Sequence, residues 1–255
     1  MSKRRRRVRL PEQLVEVEIE SLSHEGRGVA HIDGKVVFVD YALAGETVAF
    51  KYTRLSKKFD EGRALEIIRA SPQRVEPICA HFGVCGGCSL QHQHPEAQIA
   101  SKQAALLELL QRMAQVQPQQ VLEPLRGPLQ HYRQKARLGV KYVAKKGRVL
   151  VGFREKGNAF LADLESCPVL HASVGNRLNA LSELIMGLQV RETIPQIEVA
   201  VDDNTTALVF RHLEDLSEAD REALRAFGEQ HHLQILLQSG GPASVQPLWP
   251  ENPAP

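Results

Sequence analysis

The chain has 255 residues, of which 43% are hydrophobic and 24% charged, a length that suits two compact domains and a composition ordinary for a globular protein. No apolar run reaches the ~18–20 residues of a membrane helix, and the basic start MSKRRRRVRL leads into no apolar signal-peptide core; a membrane partner is therefore not expected, and a cytoplasmic location is. The net charge of +2 hides opposed blocks: Lys3 to Arg7 and Arg9 are basic, Arg126 to Lys156 carries ten Lys or Arg against the single acid Glu155, and beyond Lys156 acids outnumber bases fourteen to five. Two basic blocks point to a polyanion, most simply nucleic acid, the plainer reading being a solvated charged face and a tail.

In chain order, residues 1–11 read as a disordered basic arm. Residues 12–70 read as a small all-β unit. Val15, Val17 and Ile19 alternate with Glu16, Glu18 and Glu20, the period of a half-buried strand. Two β-rich runs then flank Asp33-Gly34, a strong hairpin signal, and Glu46 to Tyr52 and Gly62 to Ile68 supply two more strands. Five short strands in so short a stretch suit an OB-like barrel. Residues 71–240 read as an α+β domain. Pro95 opens a helix expected over 95–118, with Ile99, Gln103, Leu106, Leu110 and Met113 on one face. Arg137 to Ala144 and Val149 to Phe153 form a hairpin. Residues 171–188 are helical. Ile197 to Val201 and Ala207 to Phe210 form a second hairpin. Ser217 and Asp220 resemble a capping box, and Leu233 to Leu237 is a last strand. Residues 241–255, rich in Gly and Pro, read as a linker or tail. The fold class expected is α+β multidomain, an OB-like barrel followed by an α+β central domain.

Four cysteines punctuate this plan: Cys79, Cys85 and Cys88 within ten residues, and Cys167 in a distant Cys-Pro. Cytosolic proteins rarely keep disulfides, so clustered thiols suggest ligation. Gly86 and Gly87 between the second and third would let the backbone wrap a bulky group without a Cβ clash. Four thiolates suit a [4Fe–4S] cluster or a structural zinc. Zinc sites usually pair two C-x2-C knuckles and this chain has one, which favours the cluster; buried thiols with no ligand are the third reading. Cysteine ligation would already be complete, so His81, His92 and His94 are expected beside the site and not on the metal.

Cys79-Ala80-His81-Phe82-Gly83-Val84-Cys85-Gly86-Gly87-Cys88 with Gln91-His92, then Tyr132 to Leu138, Gly152-Phe153-Arg154 and Cys167-Pro168-Val169-Leu170, occur in the order of a known motif set. In these residues the chain resembles the RumA/RlmD-type 23S ribosomal RNA uracil-5-methyltransferases, and residues 14–70, with Gly26-x-Gly28-Val29-Ala30, resemble that family's TRAM domain, an RNA-binding barrel. The resemblance implies a [4Fe–4S] cluster on Cys79, Cys85, Cys88 and Cys167, and that helix 95–118 packs on a methyltransferase domain. It implies 23S ribosomal RNA as partner and S-adenosylmethionine as methyl donor. A monomer is expected. In this family a cysteine thiolate adds to uracil C6, C5 takes the methyl group, a carboxylate base removes the C5 proton and the cysteine leaves; the target base has to be flipped out. Those groups lie on a Rossmann-like C-terminal domain, whose Gly-rich strand-to-helix turn does not occur here, and the cluster takes all four cysteines. The chain is therefore expected to lack the catalytic domain and to be inactive alone, with no catalytic residue of its own.

Arg133, Lys135, Arg137, Lys141, Lys145, Lys146 and Arg154 are candidate phosphate contacts, with Tyr132, Tyr142 and Phe153 among them able to stack on splayed bases or to pack in the core. Arg27, Lys35 and Lys57-Lys58-Phe59 are weaker candidates on the barrel. Alternative readings are a non-enzymatic RNA-binding iron–sulfur module, a transfer RNA uracil-5-methyltransferase relative, a zinc-ribbon-like protein and a radical methylthiotransferase. The last is disfavoured because its C-x3-C-x2-C spacing differs from the one here.

Overall fold

The computed structural model describes residues 9–251. It divides into two compact units: the first runs to Ile78 and resumes over Cys88–Leu125, and the second comprises Cys79–Gly87 and continues from Arg126. The boundary expected at residue 70 does not separate them. The buried Glu46 carboxylate accepts the Ser71 backbone N–H at 3.1 Å and the Arg74 guanidinium at 2.5 and 2.7 Å, and so holds the chain beyond 70 to the barrel. Most of the expected arm, residues 1–8, lies outside the described residues, as do residues 252–255.

In the first unit, strands β1 (Val15–Glu18), β2 (Ser21–Leu22), β3 (Gly28–Ile32), β4 (Lys35–Asp40), β5 (Thr47–Arg54) and β6 (Phe59–Arg69) form one sheet in the order β1-β5-β6-β4-β3-β2. Ile19 donates to Glu46 and Glu20 to Val29, so one continuous run pairs with β5 and then with β3, and the sheet closes. Asp33 and Gly34 both sit at positive φ, 51° and 76°, as a two-residue hairpin turn between right-twisted strands requires. Ile19, Ala30, Val37, Val39, Ala42, Val48 and Phe50 fill the interior. The Phe50 ring lies over Gly62, where a Cβ would come within 2.3 Å of it. Helix α1 (Pro95–Leu109) follows, capped by His94, and ends through a π-helical turn at Leu110–Ala114 and a left-handed Gln115. It is therefore shorter than expected, and none of its residues is buried: Leu106 is 57% and Met113 82% exposed.

The second unit carries a sheet in the order β12-β11-β10-β9-β7-β8. Its strands are β7 (Lys135–Val143), β8 (Arg148–Gly152), β9 (Gln196–Val201), β10 (Thr206–Arg211), β11 (Gln234–Gln238) and β12 (Val245–Trp249). Alternate residues Leu138, Val140, Ile197, Val199, Leu208, Phe210, Ile235 and Leu237 are buried on one face, and α3 (Leu178–Gly187) and α4 (Glu218–His231) pack against the sheet. The helix expected over 171–188 is broken into α2 (Ala172–Gly175) and α3, although Val174, Leu178, Leu181, Ile185 and Leu188 are all buried as its periodicity requires. The Ser217–Asp220 capping box is present in both directions. Two features lie outside the sequence reading. The pairing of β10 with β11 is parallel, with α4 as the crossover. Part of the expected tail is strand β12, paired antiparallel to β11 through a bulge, with Leu248 buried. Its Pro247 removes a ladder N–H, which only an edge strand tolerates.

Candidate nucleic-acid interface and cysteine centre

Residues 79–87 turn tightly. The N–H groups of Val84 and Cys85 both bond the His81 carbonyl, at 3.2 and 3.0 Å, and Gly83 takes φ 90°. The loop then lies along the strand-like segment after β8: Gly86 donates to the Arg154 carbonyl and Lys156 to the Val84 carbonyl, both at 2.9 Å, with Cys85 opposite Glu155. A Cβ on Gly86 would lie 3.1 Å from the Arg154 carbonyl, so this close approach favours glycine. The Gly87 N–H points at Cys85 Sγ at 3.4 Å. Cys167 is buried, its N–H bonded to the Gly175 carbonyl at 2.9 Å. His81 Nε2 accepts the Glu165 N–H at 3.2 Å, tying the first cysteine loop to the turn that carries Cys167. Cys79, Cys85 and Cys167 thus belong to the second unit, whereas Cys88 opens the returning segment of the first. Among the described residues no three Cys, His, Asp or Glu side chains form a ready metal site. What fits a cluster is the donor chemistry: soft sulfur side chains, glycines where a Cβ would crowd, and an N–H aimed at a sulfur.

The basic block is organised by β7. Lys135, Arg137, Gly139 and Lys141 alternate with the buried Leu138 and Val140, so the three cations stand in a row on the opposite face, with a repeat of about 6.7 Å. Arg137 pairs with Glu198 at 3.0 Å and Lys146 with Asp163 at 2.6 Å, and both pairs are partly open to solvent. Ion pairs open to solvent contribute little to stability. Lys135, Lys141, Lys145 and Arg154 are exposed and make no ion pair among the described residues. Arg133 lies over the Phe153 ring at 5.5 Å and Arg191 over Tyr142 at 5.5 Å. Those two aromatics already have cation partners, whereas Tyr132 is 51% exposed.

The hairpin beyond β8 completes this surface. Ala162 donates to Phe153 at 2.9 Å and Glu155 to Phe160 at 2.8 Å, and Leu161 lies over Gly139, in the gap of the cation row, where a Cβ would come within 2.6 Å of it. Phe160 at the tip is 74% exposed. The sequence does not single it out, because a lone Phe between Ala159 and Leu161 reads as core.

A family model supplies the first comparison. Residues 9–65 match the TRAM domain. Over nearly its whole length the chain is similar to the 23S rRNA (uracil(1939)-C(5))-methyltransferase RlmD of Nitrosococcus oceani, 57% identical over 242 residues that are 94% of this chain and 54% of the relative. The enzyme of the same name from Alcanivorax borkumensis is 51% identical over 248 residues, 97% of this chain and 56% of the relative. Among solved structures, the Pyrococcus abyssi tRNA (uracil-54, C5)-methyltransferase in complex with S-adenosyl-L-homocysteine superposes with TM-score 0.59 at 19% identity, over 88% of this chain and 50% of that one; the likeness is one of fold. The chain spans about half the length of the curated relatives it matches. These matches give no support to the expectation of a missing catalytic domain and of inactivity, since they speak only to the residues they cover. In the TRAM barrel, Arg27 is a structural cation: it is half-buried, pairs with Asp40 at 3.0 Å and Glu61 at 3.3 Å, and lies over Phe38. Lys35 is held by Asp60 at 2.7 Å, while Lys57 and Lys58 are exposed. No helix among the described residues is long and apolar enough to cross a membrane.

Proposed function

We propose that the chain serves methylation of uracil C5 in 23S ribosomal RNA with S-adenosylmethionine as donor, and that its own part is to bind the RNA and to carry a [4Fe–4S] cluster. The observation that carries this reading is the 57% identity to an RlmD enzyme across 94% of the chain. The exposed cation row of the second unit is the surface such a substrate needs. Lys135, Lys141, Lys145 and Arg154 take phosphates directly, and Arg137 and Lys146 do so on release from their carboxylates. Tyr132, exposed beside them, stacks on an unpaired base, and Arg133 stiffens the strand entry through Phe153. Cys79, Cys85, Cys88 and Cys167 hold the cluster, which supplies a covalent brace between segments distant in sequence; the Gly87 N–H steadies the Cys85 sulfur. Anaerobically purified protein is expected to contain iron and sulfide and to absorb in the visible. Zinc in their place, or no metal, would refute the cluster.

Reversing Lys135, Lys141 and Lys145 together to Glu is expected to weaken binding of a 23S ribosomal RNA fragment at least tenfold. It should also flatten the plot of log affinity against log salt by about 0.7 for each phosphate no longer neutralised. Filter binding across a salt series measures both, and a triple variant that binds with unchanged affinity and slope would remove this face from the RNA interface. Transfer RNA serves as the competitor: preference for it over the ribosomal fragment would move the substrate assignment.

A further inference from the structure

The hairpin tip is built more rigidly than a surface turn needs. The Phe160 carbonyl accepts the Glu155 N–H, its own N–H goes to Asn158 Oδ1, and Asn158 Nδ2 returns to the Glu155 carboxylate, each at 2.8 Å. Gly157, at φ 79°, makes the turn. One hairpin edge is bonded to the cysteine loop through Arg154 and Lys156, and Leu161 seats the other strand on Gly139. A single exposed hydrophobic side chain is ordinary. An aromatic whose backbone is fixed on every side while its ring stays 74% exposed is mounted for contact at small entropic cost. The hairpin rises from a basic surface: Leu161, next in the chain, docks on Gly139 between Arg137 and Lys141 of the cation row, and Arg154 pairs with Leu161 across the hairpin.

From this placement we infer that Phe160 is a base-stacking platform, taking the face of an unpaired nucleobase while the cations of the basic block hold phosphates elsewhere on the same RNA. The inference rests on the RNA-binding reading above and deepens it, because stacking depends on base exposure and not on charge. It therefore has a different signature from the lysines. With the full chain, the probes are an RNA stem–loop with an unpaired uridine-rich loop and a blunt RNA duplex of equal length. Phe160→Ala is expected to weaken stem–loop binding about 5- to 100-fold, with the salt slope and duplex binding unchanged. Phe160→Trp should restore the affinity, and its indole fluorescence should be quenched by the stem–loop beyond the quenching of wild type, whose single Trp is Trp249. Stem–loop affinity of the Ala variant within twofold of wild type overturns the inference, as does an equal loss on duplex. If Phe160→Ala is silent while the triple lysine variant loses affinity, only the stacking role falls. If wild type binds neither RNA, the RNA-binding reading falls too. Capture of an acidic protein that depends on Phe160, with RNA affinity untouched, would reassign the tip to a protein partner and also overturn it.

Discussion

Replacing Glu46 by alanine is expected to destabilise the first unit by about 3–5 kcal/mol, the cost of leaving a buried charge partner uncompensated. The carboxylate is fully buried and accepts four hydrogen bonds: from the Leu43 N–H at 2.8 Å, the Ser71 N–H at 3.1 Å, and two arms of Arg74 at 2.5 and 2.7 Å. Alanine leaves the Leu43 and Ser71 donors and the guanidinium without their acceptor, and frees the chain beyond residue 70 from the barrel. Burial pushes the Glu46 carboxyl up, but the Arg74 hydrogen bonds, the two backbone N–H groups and the Arg74 charge together outweigh it, so its pKa lies below the ordinary 4.5. The sign follows. A carboxyl with a depressed folded-state value stabilises fully above its unfolded value of 4.5, and that stabilisation is lost as pH falls below 4.5 through the folded value. Urea unfolding of wild type should weaken over that acidic window. Glu46→Gln, which keeps the shape and removes the charge, should flatten the dependence. A Glu46→Ala loss below about 1 kcal/mol, or an acid profile that Glu46→Gln leaves unchanged, would show that the pair is not what holds residues 71–78.

Gly175→Ala is the second large effect. A Cβ there would lie 2.3 Å from the Cys167 carbonyl oxygen and 3.0 Å from that of Leu170. Both are backbone atoms of a turn that is itself bonded to Gly175, through the Cys167 N–H, and to the strand entry, through His131 and Arg133. No flexible side-chain end can yield, so the turn must move, at about 2–3 kcal/mol, the upper range for overpacking. The displaced residue is Cys167, buried in the native chain. The variant should unfold at lower urea and label faster with maleimide at that thiol. Stability within about 0.5 kcal/mol of wild type, with unchanged labelling, would mean that the turn has slack the structure does not show.

Local chemistry was legible and long-range pairing was not. Asp33-Gly34 and the Ser217–Asp220 cap are decided within four residues, and both occur as read. The alternation in β7 put Lys135, Arg137 and Lys141 on one face, but their partners lie far along the chain: Glu198 is 61 residues from Arg137. Nothing near Arg27 revealed that Asp40 and Glu61 would enclose it. Strand β12 was hidden by Pro247 and Pro250, which interrupt any strand period. The parallel register of β10 and β11 depends on α4 packing back over the sheet, a tertiary outcome that hydrophobic period does not encode. Phe160 failed in the opposite direction. Its residue type says interior, and only its mounting on a solvent-facing turn says otherwise.

The cysteine loop takes its backbone partners from Arg154 and Lys156, which lie far behind it in the order of synthesis. At about 5–20 residues per second, a nascent chain holding Gly86 waits roughly 4–14 s before Lys156 is added, and somewhat longer before Cys167. Until then the first thiols have no strand to lie against. Completion of this segment is therefore a late event in the birth of the protein, and its thiols are most open to oxidants while translation is still under way.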